Sequence, residues 1–312
     1  MAWACWASRR RRECNPEPTI NHGPWSWSLR SCEQAINPMM DMQRHLREMF
    51  EDVRRFLVSE GLGRLGVVQM NAKGDVTKEF DFLAEARIIE WCRQAIAEPV
   101  RILTEERGEV RTRPGRAAWT LIVDPVDGSE NFARGNEFSS VSLAALPGDG
   151  VPHPDAVSHA LVGRIFGGTI LEAVKGSGAW RNGVLARPSM VQRLEEAVVG
   201  IDFFFPDHRN VERLDRLLRV VKDVRRFGTA AGELAMVACG GVDAYVDVRD
   251  ALTPENYMAG VLIIAEAGGV VSDRAGRPLA PIRSMTQNQS VVAAANPTLH
   301  TEILAVLDGG CP

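Results

Sequence analysis

Two aspartates, Asp124 and Asp127, follow a β-branched apolar run in the segment Leu-Ile-Val-Asp-Pro-Val-Asp-Gly-Ser-Glu-Asn-Phe, residues 121–132. The run predicts a buried strand, and the proline and glycine predict a turn where it ends. Two carboxylates at such an edge can hold a hard divalent cation. Backbone N–H groups of Gly128 and Ser129, where a helix begins, can bind an anion. Metal beside phosphate is the arrangement of metal-assisted phosphoryl transfer.

The same aspartates also allow a purely structural interpretation, as an Asp-Pro turn followed by a helix N-cap. Acidic residues elsewhere favour the chemical one. Glu105 follows a short apolar run at 100–104. Asp81 lies early in a predicted helix, and Asp247 ends an apolar run at 242–247. Carboxylates that recur at the carboxyl ends of strands mark the edge where α/β sheets bind ligands.

Six motifs make the chain resemble the inositol monophosphatase superfamily of Mg²⁺-dependent, lithium-sensitive phosphatases. This superfamily includes fructose-1,6-bisphosphatases and nucleotide 3′-phosphatases. The motifs, within roughly residues 40–308, are Gly-Asp-Val-Thr-Lys-Glu-Phe-Asp (74–81), Leu-Thr-Glu-Glu (103–106), Asp-Pro-Val-Asp-Gly-Ser-Glu-Asn-Phe (124–132), Lys-Gly-Ser-Gly-Ala-Trp-Arg-Asn-Gly (175–183), Gly-Thr-Ala-Ala (228–231) and Glu-Ala-Gly-Gly (266–269). One such motif is weak or moderate evidence, whereas six in the right order are specific.

The resemblance implies two or three Mg²⁺ ions, with Mn²⁺ as an alternative. It implies that Glu105, Asp124 and the backbone carbonyl of Val126 hold the first ion. Asp124 and Asp127 would then hold the second. The remaining ligand of that ion is usually an aspartate, but the chain has Asn256 in its place. Either this amide coordinates with one charge less, or Asn256 is only a helix N-terminal residue of a degenerate site; we expect a working enzyme.

The resemblance also assigns the catalytic residues. Asp81 and Ser129 resemble the family's Asp–Thr dyad, with serine keeping the hydroxyl, and together with Glu105 they would orient and deprotonate the attacking water. Backbone N–H groups of Gly128 and Ser129 would bind phosphate. Lys73 stands closer to Asp81 in sequence than in the animal inositol enzymes, so its role near phosphate is doubtful. Glu106 is interpreted as a solvated neighbour.

Substrate residues follow from the same resemblance. Asp247 aligns with the acidic residue that receives inositol hydroxyls, and Gly228, Thr229 and Ala230 align with a backbone contact. The sequence Asp-Val-Arg at 247–249 resembles the archaeal branch that also hydrolyses fructose 1,6-bisphosphate. Arg249 would either receive a second phosphate or pair with Asp247 or Asp250 in a structural ion pair.

Three functions therefore remain open at this stage. The first is Mg²⁺-dependent hydrolysis of inositol monophosphate or a related sugar or polyol phosphate, which we expect. The second is a fructose-1,6-bisphosphatase or nucleotide 3′-phosphatase. The third is a catalytically weak or silent protein that binds a phosphorylated ligand.

Composition agrees with an enzyme acting on small molecules. The chain has 312 residues, 45% of them hydrophobic, and no apolar run long enough to span a membrane. A net charge of −4 with mixed signs argues against nucleic acid as a partner. Six cysteines without a CxxC spacing indicate a reducing cytoplasm, and six histidines without an HExxH or HxxxH spacing argue against zinc. We expect a cytoplasmic homodimer.

Apolar spacing predicts a mixed α/β protein, and the resemblance implies the layered αβαβα sandwich of the sugar phosphatases. Helices are expected near 41–60, 78–97, 209–222, 231–239, 255–267 and 297–308. Strands are expected near 100–104, 119–124, 139–146, 156–165, 168–174, 197–203, 243–248 and 290–295. The helix near 78–97 should bury Phe82, Ala86, Ile89 and Ile96, and 107–116 should be an arginine-rich loop, either solvated or a substrate clamp.

The first 38 residues do not share this pattern. They hold four of the seven tryptophans and an arginine run at 9–12, without an amphipathic period or the apolar core of a secretory signal. We expect a disordered extension that arises from an upstream start codon. Residues 39–312 should then form the phosphatase domain, with lobes at roughly 39–185 and 186–312.

Overall fold

The computed structural model of the protein describes residues 38–71, 73–74, 76–203 and 208–309. The expected disordered extension lies outside these ranges apart from Pro38, so it stays a prediction. Helices α1 to α7 span Pro38–Ser59, Glu79–Ala95, Ser129–Ala133, His208–Leu218, Ala230–Ala238, Pro254–Ala267 and Pro297–Leu307.

Strands β1 to β15 span Val67–Met70, Val76–Lys78, Val100–Thr104, Gly108–Arg111, Trp119–Asp127, Ser140–Pro147, His159–Arg164, Ile170–Val174, Gly178–Arg181, Val184–Leu185, Val198–Asp202, Asp223–Arg225, Ala244–Leu252, Val270–Ser272 and Gln289–Ala294. An eight-stranded sheet has the order β10-β9-β8-β7-β6-β5-β3-β4. A five-stranded sheet has the order β12-β11-β13-β15-β14, and β1 pairs with β2 in a separate hairpin. In the large sheet β3 runs parallel to β5, and in the small sheet β11 runs parallel to both of its neighbours.

Three hydrophobic cores lie between the helices and the sheets. The first packs α1 and α2 on one face of the large sheet. The second packs α5 and α6 between the two sheets, and the third packs α4 and α7 on the outer face of the small sheet. The order helix, sheet, helix, sheet, helix confirms the αβαβα sandwich expected from the sequence.

Local sequence explains where the main helices begin and what they bury. In α1 the side chains at helical spacing, Leu46, Met49, Phe50, Val53 and Leu57, are all buried. At α7 the Asn296 side chain accepts the N–H of Leu299 at 3.0 Å, ahead of a proline in the first turn. In the described part of the chain, no helix combines the length and apolarity that crossing a membrane requires.

Two predicted details near the large sheet are wrong. The segment 107–116 is not simply a loop, because Gly108, at φ +72°, lets the chain turn directly from β3 into the antiparallel strand β4. The inner face of α2 is formed by Phe80, Ala84, Ile88, Ile89 and Cys92. Phe82 and Ala86 are only half-buried, and the guanidinium of Arg107 covers the Phe82 ring at 3.8 Å.

Candidate active site

A β-bulge places Asp124 and Asp127 on the same face of the large sheet. Residues three apart on a regular strand point to opposite faces. In the pairing of β5 with β6, however, Asp124 lies opposite Ser142 and Asp127 lies opposite Ser140, so β5 contains one extra residue. The N–H of Val126, inside the bulge, donates to Asp124 Oδ1 at 3.0 Å. The bulge therefore brings the two carboxylates together.

Both carboxylates are buried and repel each other. Asp124 is 4% exposed and Asp127 is 5% exposed. Burial, followed by repulsion from Asp127 and Glu105, raises the pKa of Asp124 well above its usual range. Burial also raises the pKa of Asp127, to about 6. A cation bound between such groups relieves both costs.

Asp127 is additionally bonded to the start of α5. Its Oδ2 accepts a hydrogen bond from the Thr229 hydroxyl and one from the N–H of Gly232, at 3.2 Å. These bonds, with those from the N–H groups of Ala230 and Ala231, limit the rise in the Asp127 pKa. The structure thus brings the predicted substrate residues Thr229 and Ala230 against a predicted metal ligand, and the Thr229 hydroxyl is committed to that aspartate.

Asp81, on the first turn of α2, faces the same cluster. Burial, followed by repulsion from Glu106 and Glu105, raises the pKa of Asp81 well above its usual range. Glu106 is half-buried and accepts a hydrogen bond from the Thr77 hydroxyl, so the interpretation as a solvated neighbour is wrong. Among the described residues no direct hydrogen bond joins Asp81 to Ser129, so the dyad that would act on the attacking water stays a prediction.

The chain at Gly128 passes close to two other segments. Gly128 has φ +82°, and an added Cβ would lie 2.9 Å from the Phe138 carbonyl oxygen and 3.0 Å from that of Gly228. Asn131 ties the same segments together, since its Nδ2 donates to the carbonyls of Phe138 at 2.7 Å and Phe227 at 2.6 Å. Asn131 was not predicted as a site residue, although it lies within the 124–132 motif. This packing fixes the backbone expected to bind phosphate.

Lys73 is bound within the acidic groups. Its Nζ lies 3.0 Å from Glu105 Oε1 and 2.7 Å from the Thr253 hydroxyl, and it forms an ion pair with Glu255. Burial lowers the pKa of Lys73, but the carboxylates of Glu255 and Glu105 outweigh it and raise that pKa above its ordinary value. Asn71 also donates to Glu105 Oε1, at 3.0 Å.

Sequence reasoning missed Asn71, Thr253 and Glu255. The position of Glu255, directly before Asn256, was the available indication. We refer to the side chains of Asp81, Glu105, Asp124, Asp127 and Glu255 as the acidic cluster. Within the described ranges, Lys73 is the cation that forms ion pairs with this cluster.

Asn256 connects a helix cap to the cluster. As the third residue of α6, it accepts the N–H of the N-cap Thr253 on Oδ1 at 3.1 Å, in a capping box. Its Nδ2 donates to Asp124 Oδ2 at 3.3 Å. The two interpretations of Asn256 are therefore compatible, because one side chain caps the helix and also contacts a predicted metal ligand.

Replacing Asn256 by aspartate should have opposite effects without and with metal. Asp keeps the capping oxygen but places a second carboxylate beside Asp124 in place of a donor. We expect N256D to lower the melting temperature in EDTA and to lower the Mg²⁺ concentration for half-maximal rate several-fold, since hard cations favour charged oxygen ligands. Thermal melts and a Mg²⁺ titration measure the two effects. An unchanged Mg²⁺ concentration for half-maximal rate would show that Asn256 does not belong to the metal site.

The predicted substrate residue Asp247 is buried under an ion pair. Both of its oxygens accept hydrogen bonds from the Arg249 guanidinium, and Asp247 is 0% exposed. Arg249 Nη2 also lies 3.0 Å from Asp202 Oδ2. Of the two alternatives for Arg249, the structure has the ion pair with Asp247. It adds Asp202, whereas Asp250 pairs with Arg274 instead. Neither Asp247 nor Arg249 presents its charge to a substrate in this arrangement.

Glu233, in α5, is a further buried carboxyl that the sequence analysis did not select. It is 0% exposed and accepts the N–H groups of Phe227 at 3.3 Å and Thr229 at 3.4 Å, which orders the segment leading into α5. Burial raises the pKa of Glu233 from 4.5 to about 8. Between these values the folded chain retains a proton that the unfolded chain releases, so stability falls as pH rises through this window.

We expect Glu233→Gln to remove this pH dependence. The variant should match the natural protein near pH 5 and melt higher near pH 8.5, with about 2–4 °C for each kcal/mol of relieved burial cost. Melting curves in EDTA at both pH values measure the difference. Glu302→Gln, which alters another carboxylate that accepts a backbone N–H at 3.0 Å, is the control. A Glu233→Gln shift equal at both pH values would contradict the assignment.

The acidic cluster fits a divalent ion in donor type and in charge. Its donors are carboxylate oxygens, which Mg²⁺ prefers. Its five carboxyl groups outnumber the ammonium group of Lys73. No group of three or more described Asp, Glu, His or Cys side chains is placed to hold a metal ion. Several carboxylates instead bond to Lys73, Asn256 and Thr229, so binding an ion would require these contacts to rearrange.

Comparison with known proteins agrees with the geometry. A sequence model described as the inositol monophosphatase family matches residues 43–309. The chain is 31% identical over 251 residues, 78% of this chain and 87% of the relative, to a Methanothermobacter thermautotrophicus protein named fructose-1,6-bisphosphatase/inositol-1-monophosphatase. It is 32% identical over 229 residues, 70% of this chain and 81% of the relative, to the Pseudomonas aeruginosa Nus factor SuhB.

Solved structures give the same result. The extragenic suppressor protein suhB of Bartonella henselae has a TM-score of 0.74 at 27% identity, covering 86% of this chain and 99% of that chain. The Thermotoga maritima IMPase has a TM-score of 0.70 at 26% identity, covering 86% of this chain and 97% of that chain. The resemblance inferred from the six motifs is thereby confirmed, and the chain belongs to the inositol monophosphatase family.

Proposed function

We propose that this protein hydrolyses the phosphate monoester of a small sugar or polyol, such as inositol monophosphate, with Mg²⁺ as its cofactor. The observation that carries the proposal is the acidic cluster. Its carboxylates come from α2, the turn after β3, β5 and α6 and are packed together despite mutual repulsion, which structural needs alone do not explain. Family membership and the names of relatives support a phosphatase.

In the proposed site, Glu105, Asp124, Asp127 and Asn256 would hold the metal, together with the Val126 carbonyl. A bound Mg²⁺ would supply positive charge for the phosphate and the leaving alkoxide and would make the attacking water more acidic. The protein's own groups do the rest. Asp81, with Glu105 nearby, accepts a proton from the attacking water.

The phosphate would be bound where the chain turns into α3. Backbone N–H groups at Gly128 and Ser129 donate to the phosphate oxygens, and the Ser129 hydroxyl, which has no hydrogen-bond partner among the described residues, is available to the water or the ester. Asn131 holds this turn against the segment before α5, so the donors stay in place as charge develops on the phosphate.

Bisphosphatase activity is the second candidate, since one relative is named for both activities. It requires a second cation for the second phosphate. Arg249 is engaged with Asp247 and Asp202, so it does not supply that cation in this structure. We therefore rank the monoesterase first.

The test is a panel of phosphate esters assayed with Mg²⁺ and with EDTA. The purified protein should release phosphate from inositol 1-phosphate with Mg²⁺ and stop with EDTA. Release from fructose 1,6-bisphosphate at a higher kcat/KM would favour the second candidate. No release from any ester at up to tens of millimolar Mg²⁺ would favour a silent ligand-binding protein.

A further inference from the structure

We propose that the Lys73 ammonium is a resident cation of the acidic cluster, and that it occupies a position between Glu105 and Glu255 which a divalent ion takes once the lysine is removed. The inference deepens the proposed function, because it states how part of the charge at that metal site is neutralised. It concerns ion binding, so it is measured without a substrate.

The contacts of Lys73 are those of a bound cation. Its Nζ is surrounded by three oxygens, from Glu105 at 3.0 Å, from Thr253 at 2.7 Å and from Glu255. The lysine side chain is only 16% exposed, so these oxygens replace most of the hydration of the ammonium group. Carboxylate and hydroxyl oxygens are also the donors that Mg²⁺ and Mn²⁺ accept.

Glu255 shows that the position requires a cation. Its side chain is 0% exposed, and among the described residues its Oε2 has no hydrogen-bond partner. A buried, ionised carboxylate with one oxygen left without a partner is strongly stabilised by a positive charge beside it. Without Lys73, the carboxylates of Glu255 and Glu105 would repel each other with no cation between them.

The start of α6 explains why Lys73 lies there. Successive helical residues point about 100° apart, because a turn contains 3.6 residues. Asn256 therefore reaches Asp124, whereas Glu255 reaches Lys73. Because residue 255 is a glutamate and residue 256 an asparagine, the negative charge at the start of α6 lies near Glu105 and not beside Asp124. Lys73 neutralises this charge.

A purely structural explanation is that Lys73 only ties the turn after β1 to α6. Counting bound ions separates the two explanations. The full-length protein, freed of metal with EDTA and desalted, would be titrated with Mn²⁺, and free Mn²⁺ would be counted by electron paramagnetic resonance. Lys73→Met should bind one more Mn²⁺ per chain than the natural protein. Lys73→Arg, which keeps the cation, should bind the same number as the natural protein.

Two further variants exclude a general effect of charge. Lys175→Met removes a lysine whose described contact is the carbonyl of Asp155, on the surface, and should leave the count unchanged. The double variant K73M/E255Q has the net charge of the natural protein and lacks the carboxylate proposed to hold the additional ion. It should lose that ion. If K73M does not fold, Lys73→Gln removes the same charge while keeping a donor for Thr253.

An unchanged Mn²⁺ count in the folded K73M or K73Q variant would overturn the inference, as would an additional ion that persists in K73M/E255Q. The result that would overturn the proposed function is a different one. A natural protein that releases no phosphate from any ester, while K73M still binds one more ion, would overturn the phosphatase and leave the resident cation standing.

Discussion

Asp124→Asn should lower kcat by ~10³-fold or more, because this carboxylate is expected to serve two ions and the amide that replaces it carries no charge. The variant keeps the size of the side chain and one oxygen for the N–H of Val126. We also expect its melting temperature in EDTA to rise, since a buried charge repelled by Asp127 and Glu105 is removed. Phosphate release under saturating Mg²⁺ and melting curves in EDTA measure the two effects.

Asp243→Asn is the matched control. Asp243 is also a buried aspartate, at 7% exposure, but it accepts the N–H of Val198 at 2.7 Å and lies outside the acidic cluster. Its variant should lose stability and keep kcat within about twofold, as expected for a residue that touches no reacting group. If Asp124→Asn retains most of its rate, the proposed site is in the wrong place.

Gly128→Ala should lower kcat/KM by ~10²-fold, because small displacements of a phosphate-binding backbone are costly. The added methyl group meets the carbonyl oxygens of Phe138 and Gly228 at 2.9 and 3.0 Å, and neither backbone segment can move freely. The positive φ of Gly128 adds a cost of about 1–2 kcal/mol for a residue with a Cβ. Steady-state kinetics and thermal melts of the same samples measure both consequences.

Gly148→Ala isolates the cost of the backbone conformation. Gly148 has the same φ of +82° as Gly128, but a Cβ there meets nothing within 4 Å. This variant should melt somewhat lower and keep its kcat/KM. Equal losses of stability in the two variants, with kcat/KM unchanged in both, would show that the close packing at Gly128 does not position the site.

Much of the layered fold was predictable because its elements carry local patterns. The buried stripe of α1 and the Asn-Pro start of α7 are properties of consecutive residues. The hairpin of β3 and β4 was missed because its strand is polar and sits at the sheet edge, where both faces of an arginine-rich segment can be solvated. Arginines of this segment form surface ion pairs, such as that of Arg111 with Asp149 at 2.9 Å.

The sequence predicted which residues form much of the candidate site better than it predicted how they are placed. Asp81, Glu105, Asp124 and Asp127 were selected from motifs, and the structure places them together. The bulge that turns Asp127 toward Asp124 depends on pairing with β6, which no local pattern reveals. The contact of Lys73 with Glu255 joins residues 182 positions apart, so no spacing rule identifies it.

The carboxylate of Asp127 has a consequence beyond the site itself. It is the shared acceptor of the first turn of α5, the helix that lies between the two sheets. An ion bound through Asp127 would compete with the donors of that turn for its carboxylate oxygens. If Asp127 binds the ion proposed above, occupancy of the metal position and the order of the interlayer helix would be thermodynamically linked.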